Sequence, residues 1–247
     1  MHRVISQPFD GTGDILSWGE PDDALTASTE IATRVAVFLR EIGDGVKATK
    51  KGNLGRKCVQ NVHAEIAALH PNIHDFKPNT EEDSAYVHPL RYLLTMVGWV
   101  KKRKGVFSLT KKGERVRDDG LTRAPYITLL RTYCSEFNWG YCDGYGPVLI
   151  VQRGFLAALF LARNDQEFTD SEVLAARFID AFPHGLDDLE SYGGRLQPAD
   201  IFTSCINYRF FRNFATPFGL LELGEEDRRR CSYRVSPLHR ALLLWDR

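Results

Sequence analysis

Apolar residues recur at helical spacing soon after residue 28. Ile31, Val35, Phe38 and Leu39 fall on one face, with Ser28 or Thr29 placed to cap the helix and Gly43 and Gly45 to stop it. An extended piece is predicted over 46–49, followed by a Lys50-Lys51-Gly52-Asn53 turn. Leu54, Cys58, Val62, Ile66 and Leu69 then mark a second amphipathic helix, which Pro71 ends. After a polar loop to about residue 84, Pro89 suits the first turn of a third helix over 90–97, where a missing N–H costs nothing. Leu90, Leu93, Leu94 and Val97 are expected to face inward, and Arg91, Tyr92 and Thr95 outward. Two strand-like runs, 98–100 and 106–110, flank a polar turn at 101–105, which is a hairpin signal. Helix, strand, helix, helix, hairpin is the order of a winged helix, with Lys101, Lys102, Arg103 and Lys104 on its wing.

The second half repeats part of this grammar. Helices are predicted over 125–137, 148–163, 171–181 and 199–214, then strands over 218–223 and 232–235, then a helix over 238–245. The run GWV, KKRKG, VFSLT has a counterpart in GLLEL, EEDRRRC, SYRVS, which suggests a diverged internal duplication. The expected fold is mainly α with short β-hairpins, two winged-helix-like units in tandem. Residues 1–25, rich in Gly and Pro, read as an irregular arm; 26–119 form the first unit and 120–247 the second, with the boundary near 117–124.

Composition sharpens this reading in two places. The net charge of the 247 residues is zero, yet 47–117 hold 15 Lys or Arg against 6 Asp or Glu, so the remainder is acidic. Such segregation points one part of the chain at an anion. Five cysteines, an odd number with no C-x-x-C spacing, signal neither a disulfide framework nor a zinc ribbon. With no apolar run behind a basic start, and no apolar stretch of the ~20 residues that span a bilayer, a cytoplasmic location without membrane contact is expected.

FLREIGDGVKATKKGNL, followed by HPLRYLLTMVGWVKKRKGVFSLTKKGERV, pairs a GDG-x-x-x-T-x-x-G-x-L turn with a Pro-led helix, a glycine, a basic hairpin and a second T-x-x-G. This pattern, roughly 38–116, resembles a segment of bacterial plasmid open-reading-frame-three-like proteins, without the N-terminal domain that names them. The resemblance implies a winged-helix-like fold and carries over no catalytic or cofactor residue.

Candidate chemistry is therefore electrostatic. Lys101, Lys102, Arg103 and Lys104, extended by Lys50, Lys51, Arg56 and Lys57, are placed to contact phosphates; the alternative is a solubilising loop tip. On the third helix, Arg91, Tyr92 and Thr95 are placed to read bases, Arg91 pairing with guanine; a solvated or packed face is the alternative. Cys58, His63, His70 and His74 do not share the spacing of zinc ligands, and no metal or cofactor is expected. The loop 139–146, Trp-Gly-Tyr-Cys-Asp-Gly-Tyr-Gly, reads either as a stacking or ligand loop or as a packed connection. Neither G-x-S-x-G nor H-E-x-x-H is present, and no residue takes a named catalytic role. Nucleic acid, with duplex DNA preferred, is the expected partner. A protein-interaction module such as an adaptor or inhibitor from a plasmid, phage or defence context is the alternative, followed by an enzyme with a dispersed site.

Overall fold

The computed structural model describes residues 8–9, 15–69, 76–141, 143–146, 148–190, 197–226 and 230–246, mainly helical with small antiparallel sheets. Two compact units are formed: Thr26–Phe137, and Met1–Leu25 together with Asn138–Arg247. Among the described residues no helix is long and apolar enough to cross a membrane. The chain leads in through β1 (Leu16–Trp18) and α1 (Asp23–Ala27).

In the unit 26–137, α2 (Glu30–Ile42) starts where the Thr29 hydroxyl accepts the Ala32 N–H at 3.3 Å, and it buries Ile31, Val35, Phe38, Leu39 and Ile42. β2 (Val46–Lys47), α3 (Arg56–Ala67), α4 (Val87–Met96), β3 (Val100–Arg103), β4 (Val106–Leu109), α5 (Lys111–Asp119) and α6 (Arg123–Ser135) follow. The strands form one sheet in the order β2-β4-β3, with Val46 opposite Phe107 and Val100 opposite Leu109. The hairpin turn is tighter than expected. The strands run on to Arg103 and from Val106, leaving Lys104 (φ 50°) and Gly105 (φ 74°), the two positive-φ positions of a type I′ turn. α4 begins at Val87, before Pro89, because the Ser84 hydroxyl accepts the Val87 N–H at 3.1 Å and Val87 itself is buried. α6 buries Tyr126, Leu129 and Leu130 and packs on α4, so it belongs to this unit, beyond the expected boundary at 117–124.

The other unit contains α7 (Leu149–Arg153), α8 (Phe155–Ala162), β5 (Thr169–Asp170), α9 (Ser171–Ala181), a 3-10 turn (Pro183–Leu186), α10 (Asp187–Glu190), α11 (Pro198–Ile206), a π-helix (Asn207–Ala215), β6 (Leu221–Glu226), β7 (Cys231–Val235), α12 (Pro237–Leu242) and β8 (Leu243–Trp245). Phe155, Phe178, Phe202, Phe210, Phe211, Phe214 and Phe218 are all buried there and form its aromatic core. The expected helix over 148–163 is broken at Gly154, where a Cβ would lie 2.5 Å from the Phe178 ring. The expected helix over 238–245 stops at Leu242. The last three residues pair instead with β1, Leu16 opposite Trp245 and Trp18 opposite Leu243, which ties the expected irregular arm to this unit.

The two units share a peptide framework. The second sheet has the order β5-β7-β6, the same connectivity as β2-β4-β3, with Leu221 opposite Val235 and Leu223 opposite Tyr233. Gly98 (φ 77°) and Gly219 (φ 71°) each end a helix, donating N–H to Thr95 O and Thr216 O respectively. The next residue closes the same wider turn in both, Trp99 N to Leu94 O at 2.9 Å and Leu220 N to Ala215 O at 2.8 Å. After each hairpin a helix-capping hydroxyl reaches back to that glycine's carbonyl, Thr110 to Gly98 at 2.8 Å and Ser236 to Gly219 at 2.6 Å. The same hydroxyls cap their helices through Gly113 N and His239 N.

Replacing Gly154 by Ala is expected to destabilise the chain by about 1–3 kcal/mol, the cost of overpacking a filled core. Urea unfolding reads this. A midpoint equal to that of the unsubstituted protein would show that Phe178 moves aside freely.

Candidate nucleic-acid interface

The unit 26–137 contains 19 Lys or Arg against 12 Asp or Glu, and the rest of the chain 13 against 20. Where that surplus faces depends on the hairpin register. Lys102 stands opposite Phe107, which is buried, whereas Lys101 and Arg103 stand opposite Ser108 and Val106. Strand alternation therefore puts Lys101 and Arg103 on the outer face and Lys102 on the core side at its edge. From there the Lys102 ammonium lies 5.6 Å from the Phe107 ring centroid and donates to Gly52 O at 3.1 Å.

That hydrogen bond joins the hairpin to the turn before α3. Ala48 N donates to Gly105 O at 2.8 Å, Gly52 N to Thr49 O at 2.8 Å, and Thr49 N to Asn53 O at 2.8 Å. Exposed Lys50 and Lys51 lie on this turn, and exposed Lys101, Arg103 and Lys104 on the hairpin to which it is bonded. Arg56 and Lys57 are exposed in the first turn of α3, whose N-cap, Gly55, makes no side-chain capping bond and which has no acidic residue there. Among the described residues no carboxylate pairs with any of these cations.

Arg91 departs from expectation. It is only 7% exposed, and its Nε bonds Glu81 Oε1, on a carboxylate with no exposure at all. Glu81 Oε1 also meets His88 Nδ1 at 2.8 Å, while Oε2 accepts the Leu54 N–H at 2.6 Å. The Arg91 guanidinium lies 4.0 Å from the Tyr92 ring centroid and 5.4 Å from that of Phe107. Burial opposes its charge, but hydrogen bonding to Glu81 and Tyr92 outweighs this and raises its pKa above the ordinary arginine value. Arg91 is therefore an internal brace, and the assignment to base reading is corrected. The helical period that places position 91 at the edge of the apolar stripe does not reveal a buried acid ten residues upstream. Nothing in the Glu81-Glu82-Asp83 run distinguishes the buried carboxylate from its two exposed neighbours.

What α4 presents to solvent is Tyr92, Thr95 and Met96. The Thr95 hydroxyl donates to Arg91 O at 2.8 Å, so it is directed along its own helix.

The remaining candidates are structural. His63 bonds the Ser84 hydroxyl through Nδ1 at 2.9 Å, and burial pushes its pKa down. His70, His74 and Cys142 lie outside the described residues, among which no three His, Cys, Asp or Glu side chains gather as a metal site. Cys58, Cys134, Cys205 and Cys231 are buried free thiols. The loop 139–146 is anchored by Arg209 on the π-helix. Its guanidinium pairs with the Asp143 carboxylate and donates to Gly146 O at 2.7 Å and Val148 O at 3.0 Å, while Trp139 is buried against Phe214.

No protein-family model, curated protein or solved structure matches the chain.

Arg91→Ala should cost about 3–5 kcal/mol in urea unfolding, because it strands the buried Glu81 carboxylate. An unchanged midpoint would return Arg91 to a surface role. Burial, reinforced by Glu41 and Glu81, pushes the Cys58 thiol up to about 12, and burial does the same for Cys205. At pH 8 both are expected to resist a disulfide reagent until the protein is unfolded, and prompt native labelling of either would contradict their placement.

Proposed function

We propose that the unit 26–137 is a winged helix that binds duplex DNA through its phosphates and with little regard to sequence. The observation that carries this is the group of exposed, carboxylate-free cations on the hairpin and the adjoining turn: Lys50, Lys51, Lys101, Arg103 and Lys104, with Arg56 and Lys57 following on α3. Cations at a duplex act chiefly by releasing counterions, which yields affinity without base discrimination. Base readout in winged helices and their relatives is usually assigned to the helix before the hairpin. Here that helix is α4, whose exposed face of Tyr92, Thr95 and Met96 carries no charged donor. The other unit, with its matching framework and acidic balance, is proposed as a second winged helix that has lost this surface.

The exposed Tyr92 and Met96 favour one second reading, a protein-docking face on α4. Salt dependence separates the two.

A variant carrying Lys101→Gln, Arg103→Gln and Lys104→Asn removes three outer cations, keeps Lys102 on Gly52, and places at the positive-φ position a residue that tolerates it. The slope of log affinity against log salt on duplex DNA is expected to fall in magnitude by about 3 units, at ~0.9 per phosphate contact. Affinities for unrelated duplexes should agree within about tenfold. A wild-type protein that shows no salt-dependent binding at low ionic strength would replace the DNA reading with the protein-docking one.

A further inference from the structure

We propose that the cavity between the end of α8, α12 and β8 binds a small aromatic anion of the nucleoside monophosphate class. The site lies in the unit remote from the basic hairpin in sequence, and the proposal is independent of DNA binding. The cavity is an open cleft of about 560 Å³, lined by Phe160, Arg163 and Asn164 from the α8 end, His239 and Arg240 from α12, and 243–246. That volume falls within the range usual for small-ligand sites.

The walls favour a planar ring. Phe160 and Trp245 meet edge to face, with centroids 5.2 Å apart and planes at 72°, so the two rings are not stacked on each other and both stay half-buried in the wall. Leu243 is buried behind them, and Leu244, 48% exposed, extends the apolar rim. His239 is 1% exposed and receives the Trp245 indole N–H on Nε2 at 3.4 Å. Burial pushes the His239 pKa down to about 4, so the buried imidazole is neutral at physiological pH and adds no charge to the wall.

The charges favour an anion. Arg163 is held in place, its guanidinium 3.6 Å from the Phe160 centroid and bonded to Phe160 O at 2.8 Å, which leaves other N–H groups of a pre-positioned fork. Arg240 is exposed and reaches Val235 O at 3.3 Å. Among the described residues neither guanidinium pairs with a carboxylate, including Asp246 on the same rim. Two arginines against one aspartate leave the lining net positive beside half-buried aromatic rings. That combination suits a ligand that joins a phosphate to a flat ring.

Titration of the full chain with AMP, followed by calorimetry and by tryptophan fluorescence, tests this. Saturable one-to-one binding is expected, with adenosine and ribose 5-phosphate each at least about tenfold weaker because each lacks one half of the ligand. Arg240→Ala, at an exposed position, should weaken AMP by about tenfold or more while leaving the thermal unfolding midpoint unchanged. Trp245→Phe should remove most of the fluorescence response. The proposal is overturned by the absence of saturable AMP binding at millimolar concentration, by equal affinity for adenosine and AMP, or by AMP binding that Arg240→Ala leaves intact.

Discussion

The Glu81 carboxylate is the group on which the basic unit is built. A carboxylate removed from water costs several kcal/mol, and it is tolerated only where donors converge on it. Here Leu54 N, His88 Nδ1 and Arg91 Nε converge, from the turn before α3 and from α4. One side chain thereby sets the spacing between the basic turn and the helix before the hairpin. Lys102 passes that constraint on, because it holds the turn at Gly52 O from the edge of the sheet. The turn that carries Lys50 and Lys51 is thus held to α4 through Glu81 and to the hairpin through Lys102.

The other unit meets a related requirement with different residues. Arg209, on a π-helix whose wider turn departs from the α-helical repeat, pairs with Asp143 and takes up the carbonyls of Gly146 and Val148. A glycine-rich loop that would otherwise be costly to order is held by one guanidinium. The shared features of the two units are backbone features: a glycine ending a helix, a hairpin, and a hydroxyl returning to that glycine's carbonyl. Their polar anchors and surfaces have diverged. Among the described residues no carboxylate pairs with the cations of the first hairpin, whereas in the second Arg234 pairs with Glu222 across the strands.

Much of this architecture was legible from the chain. Helical spacing at Ile31, Val35, Phe38 and Leu39, the strand-like run around Phe107 and Leu109, and the polar turn within 101–105 are local signals, because each depends on residues a few positions apart. The match between the two hairpin segments also showed in the order of glycine, apolar run, polar turn and hydroxyl. These features express backbone geometry and burial, which period and composition record directly.

Where a polar side chain ends up is a different matter, and only the tertiary structure decided it. Arg91 reads as exposed until Glu81 arrives beneath it, and residues 1–25 read as an arm until Leu16–Trp18 meets Leu243–Trp245. The run 148–163 reads as one helix until the Phe178 ring occupies the space a Cβ would take at Gly154. In each case the deciding partner is distant in sequence or carries no periodic mark, and the free energy of burying charge or ring against it exceeds any local preference. The sequence by itself determined the main helices and the two hairpins, their order and the excess of positive charge between 47 and 117. The packing decided which of those charges face water, and so which can meet a ligand.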